Sequence, residues 1–284
     1  MVKELLQKER VNFRGKEGRK TDKIVFINSK LDIENIEGLA QLNGELLGAV
    51  EDLSISWCDE LRYLCESEAE ACKFLVSLRK LEISLCKKLV SLPELPSSLE
   101  TLSVYRCDNL ESISDKGFGI LPLEYLYNSN CKNLKLFPHE HLESLKSLGD
   151  LLIHNYPSIA YSFPCGLWPP NLRSLGIGCL NKPMSKWGIQ NYPTSLVHLT
   201  LFGKSSGVVS FVAKAKDVTS TSFLLPPSPI ALSFFDFLEV ELVSEVLQSL
   251  PCLKKLDIWS CPKLKDLRET NTTRSSSLRI EVHQ

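Results

Sequence analysis

Ten cysteines are the most chemically capable side chains in this 284-residue sequence, because a thiol can attack as the thiolate, pair as a disulfide or ligate a soft metal. Their spacing points away from all three. There is no Cys-x-x-Cys pair, and Cys58, Cys86, Cys107, Cys131 and Cys261 fall singly, each at the same place in a recurring apolar pattern. Other candidate chemistry thins out in the same way. The "HEH" at His139, Glu140 and His141 lacks the H-E-x-x-H spacing that sets two imidazoles on one helix face, and no third ligand is fixed nearby. The stretch "GKEGRKT" from Gly15 departs from a phosphate loop, which needs Gly, then four residues, then Gly-Lys-Ser/Thr. "GIGCLN" from Gly176 lacks the third Gly of a dinucleotide fingerprint, and no G-x-S-x-G nucleophile elbow occurs. Asn271-Thr272-Thr273 matches a glycosylation acceptor, which matters only in a secreted protein. The sequence therefore predicts no enzyme, no cofactor and no metal site.

The element that positions everything else is a repeat. In "LRKLEISLCKKLVSLPELPSSLETLSVYRCDNL", from Leu78 to Leu110, apolar residues recur at offsets 0, +3, +5, +8 and +11 from Leu78 and again from Leu99. The central L-x-I or L-x-V has period two, the mark of an extended strand, while the flanks step by three. One short strand feeding a loop that curls back over its own apolar side satisfies both periods. The template places rungs at Asn28, Val50, Leu78, Leu99, Leu123, Leu148, Leu172, Leu196, Ile230, Leu253 and Ser275, mostly 21 to 28 residues apart, with 34 residues before Ile230. At offset +3 ten of these eleven rungs carry Leu, and at +5 ten of eleven carry an apolar residue, mostly β-branched as strands prefer. One rung cannot bury its apolar side alone, so the rungs must stack into a parallel sheet.

The expected fold is an α/β leucine-rich-repeat solenoid: a right-handed superhelix with a curved parallel β-sheet on its concave side and a mostly irregular convex side with few short helices. Residues 1–27 read as an N-terminal cap or upstream remnant. Residues 28–284 form a repeat domain of about eleven rungs, with an irregular insertion at 203–229 rich in Ser, Thr, Gly and Pro. The acidic-then-apolar stretch from Cys65 to Leu78 predicts a short convex-side helix. An end inside "SSSLRIEVHQ", an edge strand without an evident polar cap, suggests a chain that is truncated or continues poorly.

Composition narrows the partners. The chain is 43% hydrophobic and 24% charged with a formal net charge of -1, so nothing supports nucleic acid, whose binding rests on neutralising phosphates. The start "MVKELLQKERVNF" lacks a signal-peptide layout, and Pro226, Pro227 and Pro229 interrupt the apolar run from Phe223 to Leu238, so neither secretion nor a membrane span is expected. A cytoplasmic setting and reduced thiols follow. The +8 cysteines would stack as small buried hydrophobes with a weak donor toward turn backbone, although stacked neighbours could approach disulfide distance.

The phrases "LRKLEISLCKKLVSLPELPSSLETLSVYRCDNLESI" and "LKKLDIWSCPKLKDL" resemble the C-terminal repeats of plant intracellular nucleotide-binding leucine-rich-repeat disease-resistance proteins, as do "FPCGLWPPNLRSLGIG" and "NYPTSLVHLTLFG". The resemblance covers about residues 28–284. The N-x-L-x-G-x-I-P of extracellular receptor repeats is missing. The resemblance implies recognition of a pathogen effector or a host protein, or contact with a nucleotide-binding domain of a parent receptor. This chain carries no phosphate loop of its own.

With +3 and +5 pointing inward, +2, +4 and +6 face the concave sheet and +7 lies at its margin. That face is expected to carry Asp52, Trp57, Tyr105, Arg106, Tyr125, Tyr127, Asp150, His154, His198, Phe202, Phe234, Lys255, Asp257 and Trp259. Large aromatics and Arg on an exposed sheet are the residue types that dominate binding energy in protein interfaces. The bland alternative is that they pack on one another across rungs and only stabilise the sheet. Two functions compete: the recognition module of an immune receptor, and an F-box-type or other leucine-rich-repeat adaptor. The second would need an N-terminal helical segment for which 27 residues are too few.

Overall fold

The computed structural model describes residues 11–12, 23–42, 47–65, 75–114, 117–119, 121–135, 137, 142–156, 168–180, 192–204, 206, 208, 225–240, 250–264 and 278–283. The chain divides into two compact units, one up to Leu148 and one from Gly149 onward. In the first, β1 (Val11–Asn12), β2 (Lys23–Ile27), β3 (Lys30–Glu34), β4 (Asp52–Ser56), β5 (Lys80–Ser84), β6 (Thr101–Tyr105) and β7 (Tyr125–Ser129) lie side by side in chain order. From β3 to β7 every pairing is parallel and in matched register, so that Leu53 sits beside Leu81, Leu81 beside Leu102 and Leu102 beside Leu126. The second unit repeats the scheme with β8 (Asp150–Tyr156), β9 (Ser174–Leu180), β10 (His198–Phe202), β11 (Ala231–Phe235), β12 (Lys255–Trp259) and β13 (Arg279–His283). Each unit is a parallel β-solenoid.

The step of three in the flanks of the repeat has a direct cause. The amide at offset 0 donates to the carbonyl three residues back, as in Leu78 to Leu75, Leu99 to Pro96, Leu172 to Pro169 and Leu253 to Leu250. The amide at +11 donates to the carbonyl at +8, as in Leu61 to Cys58, Leu89 to Cys86, Leu110 to Cys107 and Leu134 to Cys131. Two tight turns per rung therefore bracket each strand, and each turn points its first and last apolar side chains into the same core. Between them, +3 and +5 are buried in β4, β5 and β6, and the outward positions are polar or half-exposed. At roughly 1.5 to 3 kcal/mol per buried aliphatic side chain, stacking is what holds a rung in place.

The residue at +7 takes a left-handed backbone, just after the five-residue strand in most rungs and inside the seven-residue strands β8 and β9, which pair again at Tyr156 and Leu180. Asn35, Trp57, Leu85, Arg106 and Asn130 in the first unit, and Asn155, Cys179, Asp236 and Ser260 in the second, have φ between 51° and 64°. That conformation costs a non-glycine residue about 1 kcal/mol or more, and it is offset because the +7 amide reaches the +6 carbonyl of the next rung. Trp57 to Ser84, Leu85 to Tyr105, Arg106 to Ser129 and Asp236 to Trp259 are such bonds, at 2.8–3.1 Å.

The +6 carbonyl also receives the thiol at +8. Cys58, Cys86, Cys107, Cys131 and Cys261 each approach the carbonyl two residues back at 3.3–3.7 Å, the turn-backbone donor role expected of them. Burial pushes the Cys86 thiol up to about 12, and a hydrogen bond with Cys131 together with burial raises Cys107 further. Among the described residues no disulfide joins the cysteines.

Two expected registers need adjusting. The β11 rung is slipped by one residue from the expected start at Ile230: Leu232 pairs with Leu199 and Phe234 with Leu201. Phe234 is therefore fully buried rather than on the open face, and Phe235 takes its place there. The last rung is slipped by two from Ser275, so that Ile280 and Val282 rather than Leu278 and Ile280 align with Leu256 and Ile258. Within the segment read as a cap or remnant, β2 pairs antiparallel with β3 through a two-residue turn with φ of 48° at Asn28 and 62° at Ser29. Two left-handed residues match the twist of a tight hairpin, and the pairing covers the edge amides of β3.

Among the described residues the connections are turns and extended segments with one short 3-10 turn at Leu142–Ser144, and no helix is long and apolar enough to cross a membrane. The expected helix after Cys65, the "HEH" at 139–141, the "GKEGRKT" stretch, most of the 203–229 insertion and the Asn271 acceptor fall wholly or largely outside the described residues.

Candidate functional site

Because side chains alternate along a strand, the register that buries +3 and +5 obliges +2, +4 and +6 to form three columns on the open face. In the first unit the +6 column carries Tyr105, whose ring lies 5.1 Å from the Arg106 guanidinium carbon at +7. Tyr125 and Tyr127 occupy +2 and +4 of β7 with ring centroids 6.2 Å apart. Trp57, at +7 after β4, sits at the margin, and Asp52 starts β4 with its carboxylate 2.7 Å from the Lys30 ammonium of the neighbouring strand.

The second unit gathers more. Asp150 and His198 share the +2 column on either side of Ser174. Lys255 at +2 and Asp257 at +4 are joined at 2.8 Å, Lys255 also reaches Glu281 at 3.7 Å, and Glu281 holds Arg279. The hydrogen bond with Asp257 keeps the Lys255 ammonium above its ordinary range.

The +6 column is an aromatic ladder. His154 stands 4.2 Å from Phe202, Phe202 is stacked 5.1 Å from Phe235, Phe235 is 5.8 Å and 5° from Trp259, and Trp259 is 3.6 Å and 12° from His283. His154 belongs to β8 and Phe202 to β10, so the ladder crosses β9, where Gly178 fills the column without a side chain. Leu152 leans over Gly176 in the same way. Burial lowers the basicity of His154 against the pull of the Asp236 carboxylate.

All twelve residues put forward for the partner-binding face, Asp52 and Phe234 aside, lie on the open side or its margin. They do not form one cluster. Tyr105, Arg106, Tyr125, Tyr127 and Trp57 belong to the first unit; Asp150, His154, His198, Phe202, Lys255, Asp257 and Trp259 belong to the second. Reading the sequence missed Phe235 and His283, the two rings that make the ladder continuous, and Gly178, which lets it cross β9. Ser233 at an inward offset was the signal for Phe235, since shifting by one replaces Ser and Phe with Leu232 and Phe234.

Among the described residues no three His, Cys, Asp or Glu side chains are grouped to hold a metal ion. The open face offers rings and compensated ions, which suit recognition more than bond-making.

No family model matches the chain. TMV resistance protein N from Nicotiana glutinosa is 37% identical over 79 residues. The chain resembles the repeat region of plant nucleotide-binding leucine-rich-repeat disease-resistance proteins. That match covers 27% of this chain and 7% of the tobacco protein, so the chain spans a small part of the relative's length. Together with the stacked rungs it supports a leucine-rich-repeat module for protein interaction.

Proposed function

We propose that this chain is the protein-recognition module of a plant disease-resistance immune receptor, acting in the cytoplasm and binding a pathogen effector, a host protein or the nucleotide-binding domain of a parent receptor. The open sheet face is read as the concave side of a right-handed, curved solenoid. The observation that carries the reading is the run of aromatic rings on that face, continuous from His154 to His283. Rings held by a rigid sheet give contact area at little cost in side-chain entropy, and aromatic anchors near the centre of a patch dominate interface energy.

The test is calorimetric titration of the purified chain with candidate effectors and with the nucleotide-binding region of such a receptor. A partner bound by the wild type should bind about tenfold or more weakly to Trp57→Ala, Tyr127→Ala or Trp259→Ala, since a hot-spot ring is worth about 2 kcal/mol or more. Affinity unchanged in all three would remove the open face from the reading.

A further inference from the structure

Resting on the reading of this face as a partner surface, we infer that the ladder of the second unit binds a partner segment carrying aromatic side chains, whose ring faces it receives edge-on. The inner rings of the ladder each have a neighbour on both faces: Phe202 lies between His154 and Phe235, Phe235 between Phe202 and Trp259, and Trp259 between Phe235 and His283. Trp259 is nonetheless 39% exposed. With its faces taken up within the stack, what it offers to solvent is its edge.

That orientation selects among partners. A sugar, a nucleobase or a guanidinium group gains most by lying on a ring face, and those faces are engaged. The edge of an aromatic ring is the positive rim of its quadrupole, and its preferred complement is the negative face of another ring in a T-shaped contact. Charge points the same way. At the Trp259 end of the ladder Lys255 pairs with Asp257 and Glu281, and Arg279 with Glu281, so these four groups sum to zero and give an acidic or a basic segment little to hold, while the Asp236 carboxylate acts on His154 at the other end. The match is then an uncharged segment bearing Phe, Tyr or Trp. Binding should depend little on salt, because no ion pair forms across the contact.

The experiment uses the full chain and a matched set of synthetic peptides on a Gly/Ser background, differing only in whether their anchor side chains are Phe, Leu, Arg or Glu. Fluorescence anisotropy reads the affinity at low and high salt, and a thermal melt of every variant confirms that it is folded. The Phe peptide should bind about two- to tenfold more tightly than the Leu peptide, the excess expected of aromatic pairs beyond area burial. It should do so equally at both salt levels. Trp259→Leu, which keeps apolar bulk and removes the ring, should erase the preference, and Phe235→Leu should reduce it. Leu, Arg or Glu peptides binding as well as Phe, no binding of the Phe peptide, or a preference that survives both substitutions would each overturn the inference. The separate loss of a protein partner from Trp57→Ala and Tyr127→Ala would leave the broader function standing while this inference fell.

Discussion

A β-carbon placed on Gly178 would lie 2.2 Å from the carbonyl oxygen of Phe202 and 2.6 Å from its Cβ. The glycine is the gap through which Phe202 reaches His154, and the nearest obstacle is backbone rather than the end of a flexible side chain. Gly178→Ala must therefore push β9 and β10 apart or tilt Phe202 out of the stack. Overpacking of this kind typically costs about 1–3 kcal/mol. Urea unfolding should show that loss, and the His154 ring resonances should shift as the Phe202 ring leaves them. A variant as stable as wild type with unchanged His154 resonances would mean that the column tolerates a side chain at this rung.

The register of β11 yields a paired prediction. Phe234 is fully buried and meets Phe237 edge-on at 5.5 Å, whereas Phe235 lies on the open face in the ladder. Phe234→Ala should cost about 3–5 kcal/mol through transfer and cavity terms. Phe235→Ala removes only partly buried area and a stacking contact, about 1–1.5 kcal/mol. Chemical denaturation of the two variants side by side decides it. Reversed magnitudes would restore the register that starts at Ile230.

How far the sequence could be read follows from how strongly each strand resists a slip. In β4, β5 and β6 the inward residues are Leu, Ile or Val and the outward ones are Asp, Ser, Lys, Glu or Thr, Tyr at the end of β6 being the one large exception. A slip of one would bury charges in β4 and β5 and hydroxyls in β6, so pattern alone was decisive. In β11, Ala231-Leu232-Ser233-Phe234-Phe235 places two rings in succession, and either parity buries one of them. In β13, Leu278, Ile280 and Val282 alternate with polar residues, so registers two apart satisfy the same rule and His283 could not be assigned to the ladder. The ladder itself is a relation between rungs about two dozen residues apart. Its crossing at Gly178 depends on an absent side chain, which leaves no trace in hydrophobic period.

The thiol column should tie stability to alkaline pH. The Cys86 thiol has an ordinary value of 9.0 and is held up at about 12 in the folded chain by burial. A raised folded value means that the folded state keeps its proton while the unfolded chain loses it. The stabilisation is complete below about 9 and is lost as pH climbs toward 12. Thermal melts of wild type and Cys86→Ala across that window should converge, the difference in slope being at most about 1.4 kcal/mol per pH unit for one proton. Parallel curves would show that Cys86 is not what couples folding to the proton there. In native alkylation at neutral pH, exposed Cys252 should react well before Cys58, Cys86, Cys107 or Cys131.

The left-handed residue after each strand invites a substitution that should stabilise. Ser260 is exposed with φ of 51°, and the structural contact that fixes it is its amide, which donates to the carbonyl of His283 at 3.0 Å. Glycine keeps that amide and removes the clash between Cβ and backbone that makes the conformation expensive for an L-residue. It also adds freedom to the unfolded chain, which takes back part of the gain. The balance for Ser260→Gly is a gain of about 0.5–1 kcal/mol. The control is Ser54→Gly in the middle of β4, where the backbone is extended and glycine only adds unfolded-state entropy, a loss of about 0.5–1 kcal/mol. Opposite signs for the two serines in a denaturant titration would show that the turn out of the sheet is held against local backbone preference by the hydrogen bond to the next rung. Equal destabilisation would mean that Ser260 carries no strain for glycine to relieve.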